Sequence, residues 1–323
     1  MPRPVRIATI AQRADWGPTV DANRKTMAAW IEQGLHEKPD ILAIPESFTL
    51  AGLVNPRIAE MAEEVPGPTL EMAAAYACQA KAYILCPILA RRPDGNHIEA
   101  FLLDRQGRIA GSYQKHHPVV EGWQYRKLEY GSRPGSALPV FDTDFGRIGV
   151  QICFDVEYSD GWEALDRAGA EIFFWLSAYD GGRDLSAKAW TYHRYLVSAV
   201  QTFHARILDI MGETLAMTGL HDSIAATTID LDVALFHMDF NNTQIQAIRA
   251  KYGPDVTLHL YHQENYFTLQ SNRPDLPVSA IISEFQLDPL KDYIARNERL
   301  QDAIRAGRFI EDVTPPYADR AQW

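Results

Sequence analysis

Gly149-Val150-Gln151-Ile152-Cys153-Phe154-Asp155 is a short apolar run that delivers a cysteine and then turns polar at once. Ahead of it, Phe141-Asp142-Thr143-Asp144-Phe145-Gly146-Arg147 reads as a tight turn between two strands; behind it, Ser159-Asp160-Gly161 opens a helical pattern. Cys153 is therefore expected where a buried strand ends and a helix is about to begin. A strand end fixes a thiol while leaving it open to a substrate, and nearby helix N-terminal dipoles favour the thiolate. Against this stands the plainer reading of a packed core cysteine, since free cysteine is among the most buried residue types.

Working outward, residues 5–12 read as a buried strand, and residues 19–35 carry Val20, Met27, Trp30 and Ile31 at helical spacing. The run Pro39-Asp40-Ile41-Leu42-Ala43-Ile44-Pro45-Glu46-Ser47 is an apolar strand that stops at a carboxylate. A helix over 69–81 feeds a strand over 82–89, and a meander of strands at 97–104 and 109–115 turns at Asp104-Arg105-Gln106-Gly107 and ends in Lys115. The loop 116–139 is polar and aromatic, with little periodicity. Past Cys153 the pattern gives helices at 161–169 and 184–195 and strands at 170–176, 196–200, 205–210, 213–218 and 224–230. Alternating strands and helices combined with hairpins predict an α/β fold, with mixed sheets covered by helices on their outer faces. One layered domain is expected over residues 1–232. The pattern then loosens into helices at 242–252, 277–286 and 288–307 and strands at 256–261 and 266–270. Residues 233–323 are expected to form a C-terminal extension that packs on the core or on a neighbouring subunit.

The 323 residues carry a net charge of −11, with 46% apolar and 23% charged positions. That is an ordinary globular composition, and its acidity argues against a nucleic-acid partner. No apolar run approaches the roughly 20 residues of a membrane span, and the N-terminal stretch lacks the apolar segment of a signal peptide. Three cysteines at no metal-like spacing point to a reducing compartment, so a cytoplasmic location is expected. Gly146-Arg147-Ile148-Gly149 lacks the third glycine of a dinucleotide site, and no Gly-x-Ser-x-Gly elbow is present. His116-His117 has no third ligand at suitable spacing, so a solvated loop pair and no metal are expected. Cys78, in a helical pattern, and Cys86, in an apolar strand, read as structural.

Glu46, Lys115 and Cys153 thus each close an apolar run and are each followed by a break. A carboxylate or an ammonium at a buried strand end is costly unless it is paired or functional, and the three together suit acyl transfer through a thioester. Ile44-Pro45-Glu46-Ser47, Tyr113-Gln114-Lys115-His116 and Gly149 to Asp155 resemble, in order, the three catalytic motifs of the nitrilase superfamily of carbon–nitrogen hydrolases. The resemblance covers about residues 5–232 and extends to Pro134-Gly135 and to Ile207-Leu208-Asp209-Ile210-Met211-Gly212-Glu213, which is similar to the family's late hairpin.

The resemblance implies a four-layer α-β-β-α sandwich, no metal or organic cofactor, and assembly as a homodimer or higher homo-oligomer; the short apolar runs already argue against a membrane partner. It makes Cys153 the nucleophile, Glu46 the general base, and Lys115 with the backbone N–H of Phe154 the stabilisers of the tetrahedral oxygen. It also implies a second glutamate in the loop after the lysine, for which Glu129 and Glu121 are the candidates. Two departures bear on substrate. Where many amidases of the family carry an arginine after the cysteine motif this chain carries Glu157, which points to a neutral or cationic acyl group unless Glu157 is simply a surface charge. Phe154-Asp155 is similar to the amidase branches rather than to the Trp-Glu of true nitrilases. The late hairpin has Ile210-Met211 in place of the family's proline, and the loop between Val200 and Arg206 reads as short. Trp123, Tyr125, Tyr179 and Trp190 are candidate pocket walls, with plain core packing as the alternative. The expected function is hydrolysis of a small amide; a nitrilase acting on a small nitrile and a catalytically idle scaffold are the alternatives.

Overall fold

Pro4–Ile10 (β1) shows how the layers are built: Ala8 and Ile10 point one way and Val5, Ile7 and Thr9 the other, all without solvent exposure. Ala8 and Ile10 pack under two helices, Val20–His36 (α1) and Pro68–Ala80 (α2), through Met27, Trp30, Ile31, Leu70, Ala73 and Ala77. On the other face Thr9 Oγ1 donates to the carbonyl of Ser198, which belongs to a second sheet. A strand buried on both faces in this way reads as a largely apolar run, interrupted here by Arg6 and Thr9. The computed structural model describes residues 1–55, 57–124 and 126–308.

β1 pairs in parallel with Ile41–Ala43 (β2), which pairs in parallel with Tyr83–Arg92 (β3). Gly95–Leu103 (β4) and Ile109–Gln114 (β5) continue the sheet antiparallel. Two short paired strands, Val120–Glu121 (β6) and Lys127–Leu128 (β7), lie within the aromatic loop that sequence periodicity leaves blank. The second sheet runs through Val140–Asp142 (β8), Arg147–Ile152 (β9), Ile172–Ser177 (β10), Tyr195–Val200 (β11), Arg206–Leu208 (β12) and Thr214–Met217 (β13). Its outer face is covered by Asp160–Arg167 (α3) and Gly182–Tyr192 (α4), with Trp162, Leu165, Leu185 and Ala189 packed on Phe173, Trp175 and Leu196. Ile224–Asp230 (β14) closes the first sheet beside β1. Two six-stranded sheets with helices on their outer faces are the α-β-β-α sandwich.

The chain divides into two compact units, Val5–Ile229 and a second made of Met1–Pro4 with the described residues from Asp230 onward. The second unit has a sheet of its own, in which Ala234–His237 (β15) and Val256–Tyr261 (β16) flank Tyr266–Ser271 (β17). Its core joins Phe236, stacked 4.8 Å from Phe267, to Ile245 and Ile248 of Asn242–Tyr252 (α5) and to Val278 and Ile281 of Val278–Phe285 (α6). Leu290–Arg305 (α7) is anchored near its start, where Asn241 donates to the carbonyl of Asp288 and accepts from its N–H. No helix among the described residues is long and apolar enough to cross a membrane.

Candidate active site

The candidate catalytic side chains of the first unit leave the fold where regular backbone breaks. β2 stops at Ala43 and the chain runs on through Ile44 and Pro45 to Glu46, after which Ser47 takes φ +39°. β9 stops at Ile152, and Cys153 takes φ +47° as the first residue of a tight turn over Cys153–Glu157. Glu129 is followed by Tyr130 at φ +54°. Left-handed values cost non-glycine residues on the order of 1–3 kcal/mol each and persist only where the surroundings hold them. Lys115 follows directly on the end of β5.

These breaks bring four side chains together. Lys115 Nζ lies 2.7 Å from Glu46 Oε1 and 2.6 Å from Glu129 Oε1. Lys115 is fully buried, and Glu46 and Cys153 are 3% and 7% exposed. Glu129 Oε1 also accepts the N–H of Val119 at 2.8 Å, which fixes the carboxylate against its own loop. Glu121 is placed elsewhere: it pairs with Lys127 at 2.6 Å and accepts the N–H of Tyr130. Gln201 Nε2 donates to the carbonyl of Glu46 at 2.7 Å, and Trp175 Nε1 to the carbonyl of Cys153 at 2.8 Å. The cysteine turn is tied further by Asp155, whose carboxylate accepts from Tyr113 Oη (2.7 Å) and from the N–H groups of Ile152 (2.8 Å) and His117 (2.8 Å).

Burial, reinforced by the Glu129 charge, raises the Glu46 carboxyl above its ordinary range against the pull of Lys115. Burial alone pulls the Lys115 ammonium down, but the charges of Glu46, Cys153 and Glu129 outweigh it and hold the proton on. The thiol corrects an expectation. Burial and then Glu46 push Cys153 up to about 12, although Lys115, the Ala178 N–H and the Ser177 side chain pull the other way. A thiolate favoured by helix dipoles is therefore not what the resting site holds. A neutral thiol stands beside a carboxylate of raised basicity, an arrangement that transfers the proton only as sulfur attacks. The first N–H groups of the Cys153–Glu157 turn, that of Phe154 among them, have no partner within the turn itself. With the Lys115 ammonium they make a donor set suited to a developing oxyanion.

The profile of the carbon–nitrogen hydrolase family matches residues 5–234. The chain belongs to that family, within the nitrilase superfamily. This carbon–nitrogen hydrolase is 31% identical over 157 residues to the beta-ureidopropionase of Arabidopsis thaliana, covering 47% of this chain and 38% of that protein. It is 30% identical over 110 residues to a bifunctional nitrilase/nitrile hydratase of Nicotiana tabacum, covering 34% and 30%. The matched stretches thus span only 38% and 30% of these relatives' own length. Among solved structures, that of an amidase of Nesterenkonia sp. with the acetamide moiety of fluoroacetamide added at its active site cysteine superposes with a TM-score of 0.59 at 18% identity, covering 70% of this chain and 90% of that one.

The outlying candidates of this carbon–nitrogen hydrolase divide. Tyr179 packs edge-on to Trp175 at 5.2 Å, and its hydroxyl is pushed up to about 12 by burial and then by Cys153 and Glu157, so it stands near the thiol. Phe154 is half-buried, edge-on to Tyr158 at 5.8 Å. Glu157 is exposed at the end of the turn, and its charge reaches Tyr179 and Lys188. Trp123 is 94% exposed, so as a pocket wall it is corrected: this side chain is not packed into a wall. Trp190 packs edge-on to His193, and Tyr125 lies outside the described residues. His116 and His117 are not a solvated pair, since they are only 25% and 18% exposed and Asp160 approaches them at 3.6 and 3.4 Å. Sequence reasoning missed Trp175, Gln201 and the bracing role of Asp155. Only Asp155 carried a signal, as a carboxylate two residues past the cysteine.

Proposed function

We propose that this chain hydrolyses the carbon–nitrogen bond of a small amide through a thioester on Cys153. The observation that carries the reading is the buried row in which Lys115 stands between Glu46 and Glu129 and its charge reaches the thiol. In this reading Cys153 Sγ attacks the amide carbon while its proton passes to Glu46. The tetrahedral oxyanion is held by Lys115 and the N–H of Phe154, each such donor lowering the barrier by roughly 3 kcal/mol. Glu46 returns the proton to the nitrogen as the C–N bond breaks, and ammonia or an amine leaves. Glu46 then takes a proton from water, whose oxygen attacks the thioester; the C–S bond breaks, the acid departs and the thiol is restored.

Phe154-Asp155 after the cysteine supports an amide over a nitrile. The likeness to the tobacco nitrilase keeps conversion of a nitrile to acid and ammonia as the second reading, with the same nucleophile. The exposed Glu157, whose charge reaches Tyr179, supports a neutral or cationic acyl group over an anionic one. Assembly as at least a homodimer belongs to the same reading and is tested by sizing at micromolar concentration.

The test is intact-mass spectrometry of wild type and Cys153→Ala after incubation with paired amides and nitriles, scoring the covalent adduct and released ammonia. An acyl adduct confined to the wild type is expected, with amides turned over faster than their nitriles. Turnover without any Cys153 adduct, or activity retained by Cys153→Ala, refutes the thioester route. Strong preference for an N-carbamoyl amino acid over its uncharged analogue refutes the acyl-group assignment alone.

A further inference from the structure

We infer that His116, His117 and Asp160 form a binding site for a divalent transition metal of the zinc class. Proton bookkeeping on the two imidazoles leads there. His116 Nδ1 lies 2.7 Å from the carbonyl of Gly135, which can only accept, so Nδ1 carries the hydrogen and the neutral ring keeps its lone pair on Nε2. His117 Nδ1 lies 3.2 Å from Asp155 Oδ1, and an ionised carboxylate imposes the same tautomer. Both Nε2 atoms then face Asp160 Oδ2, at 3.6 and 3.4 Å, and the three ligand atoms all fall within 4.8 Å of one another.

With both rings neutral, two lone pairs and a carboxylate oxygen turned on one point repel until a proton or a metal ion lies between them. The spacing suits the metal: a tetrahedral ion with bonds of about 2.0–2.2 Å has ligand–ligand edges of about 3.3–3.6 Å. The orientation is braced from behind, since a carbonyl or carboxylate on the far nitrogen is the arrangement that aims a ligating imidazole. His117 is stacked on Tyr158 at 3.7 Å and 3°, and His116 lies edge-on to His117 at 4.6 Å. Asp160 Oδ1 is engaged by the N–H of Gly161 at 2.8 Å, leaving Oδ2 to the site. Asp160 is 51% exposed, which gives an ion an entry path and leaves room for water as a fourth ligand. Two imidazoles and one carboxylate favour zinc, copper or nickel over magnesium or calcium. The ion would cross-link the segment after Lys115 to the helix that follows Cys153, as a brace apart from the chemistry proposed above.

The test uses the full chain after chelator treatment, titrated with Zn2+ by calorimetry and with Co2+ by visible absorption. One-to-one Zn2+ binding that survives excess Mg2+, with four- or five-coordinate Co2+ bands, is expected. His116→Ala and Asp160→Asn should each weaken binding by about tenfold or more, while Cys153→Ala leaves it intact. Thermal melts of the metal-free variants establish that they fold, and the half-exposed Asp160 keeps the test open should His116→Ala not do so. No saturable binding, binding unchanged in the folded variants, or binding lost in Cys153→Ala overturns the site.

Discussion

The hydroxyl of Tyr113 donates to Asp155 Oδ2 at 2.7 Å, joining the strand that leads into Lys115 to the turn that begins with Cys153. Tyr113 belongs to the first sheet and Asp155 to the turn that follows β9 of the second, so one buried carboxylate sets how ammonium and thiol face each other across the sandwich. Asp155 is 1% exposed, and the Ile152 and His117 N–H groups complete the donors that offset its desolvation.

Removing that tie should therefore loosen both the fold and the site. Tyr113→Phe deletes one donor and should cost about 1–2 kcal/mol. Asp155→Asn turns an amide NH2 toward groups that themselves donate and should cost about 3 kcal/mol or more. Urea unfolding measures both, and kcat should fall in both because Lys115 and Cys153 lose their common reference. An Asp155→Asn protein as stable and active as wild type would remove this role.

What the sequence made legible follows a physical divide. Glu46, Lys115 and Cys153 could be read because a charged or reactive group closing an apolar strand is a local pattern. The Asp155–Tyr113 bond spans 42 positions, and the approach of Asp160 to the histidine pair is just as non-local, so neither leaves a trace in spacing. Trp175 sits inside Ile172–Ser177, where every residue is apolar or small, and nothing separates it from plain core. The thiolate expectation failed for a related reason: helix dipoles are readable from a helix start, whereas the burial that outweighs them is a property of the whole fold. Strand β15 is too short to announce itself, and its partner β17 lies beyond a helix and another strand.

Glu129 and Glu121 offer a paired test. Glu129→Gln keeps an acceptor for the Val119 N–H but removes one of the two charges on Lys115. A loss of about 100-fold or more in kcat/KM is expected, equivalent to about 2.7 kcal/mol, with a modest drop in Tm. Glu121→Gln breaks only a partly exposed pair with Lys127, so activity should stay within about twofold. The reverse order of sensitivity would assign the second glutamate to Glu121.

Cys153→Ala should abolish turnover while leaving the fold intact. The substitution deletes one buried sulfur at a site whose backbone is already tied through the Cys153 carbonyl to Trp175, so the expected loss of stability is about 1 kcal/mol. Circular dichroism and thermal melting check the fold, and ammonia release checks activity. A protein that unfolds would mean that the thiol is chiefly a packing element.

Acidity should separate base from nucleophile. Glu46 must be ionised to accept the thiol proton, and its pKa is raised by burial, so kcat/KM should rise with pH through that raised value and be lost as pH falls through it. The midpoint of the acid limb should lie above the ordinary glutamate value of about 4.3. The thiol behaves differently. With Cys153 held near 12, the resting thiolate fraction is small and grows about tenfold per pH unit across the range from about 7 to 10. In a Cys78→Ala background, which removes the exposed thiol, the rate of modification by a small neutral disulfide should climb log-linearly over that range. The hydrolytic rate should instead level off once pH passes the raised pKa of Glu46, because the carboxylate withdraws the proton during attack. A modification rate that levels off near pH 7 would show a thiolate at rest, and Glu46 would then lose its part in activating the nucleophile while keeping its part in activating water.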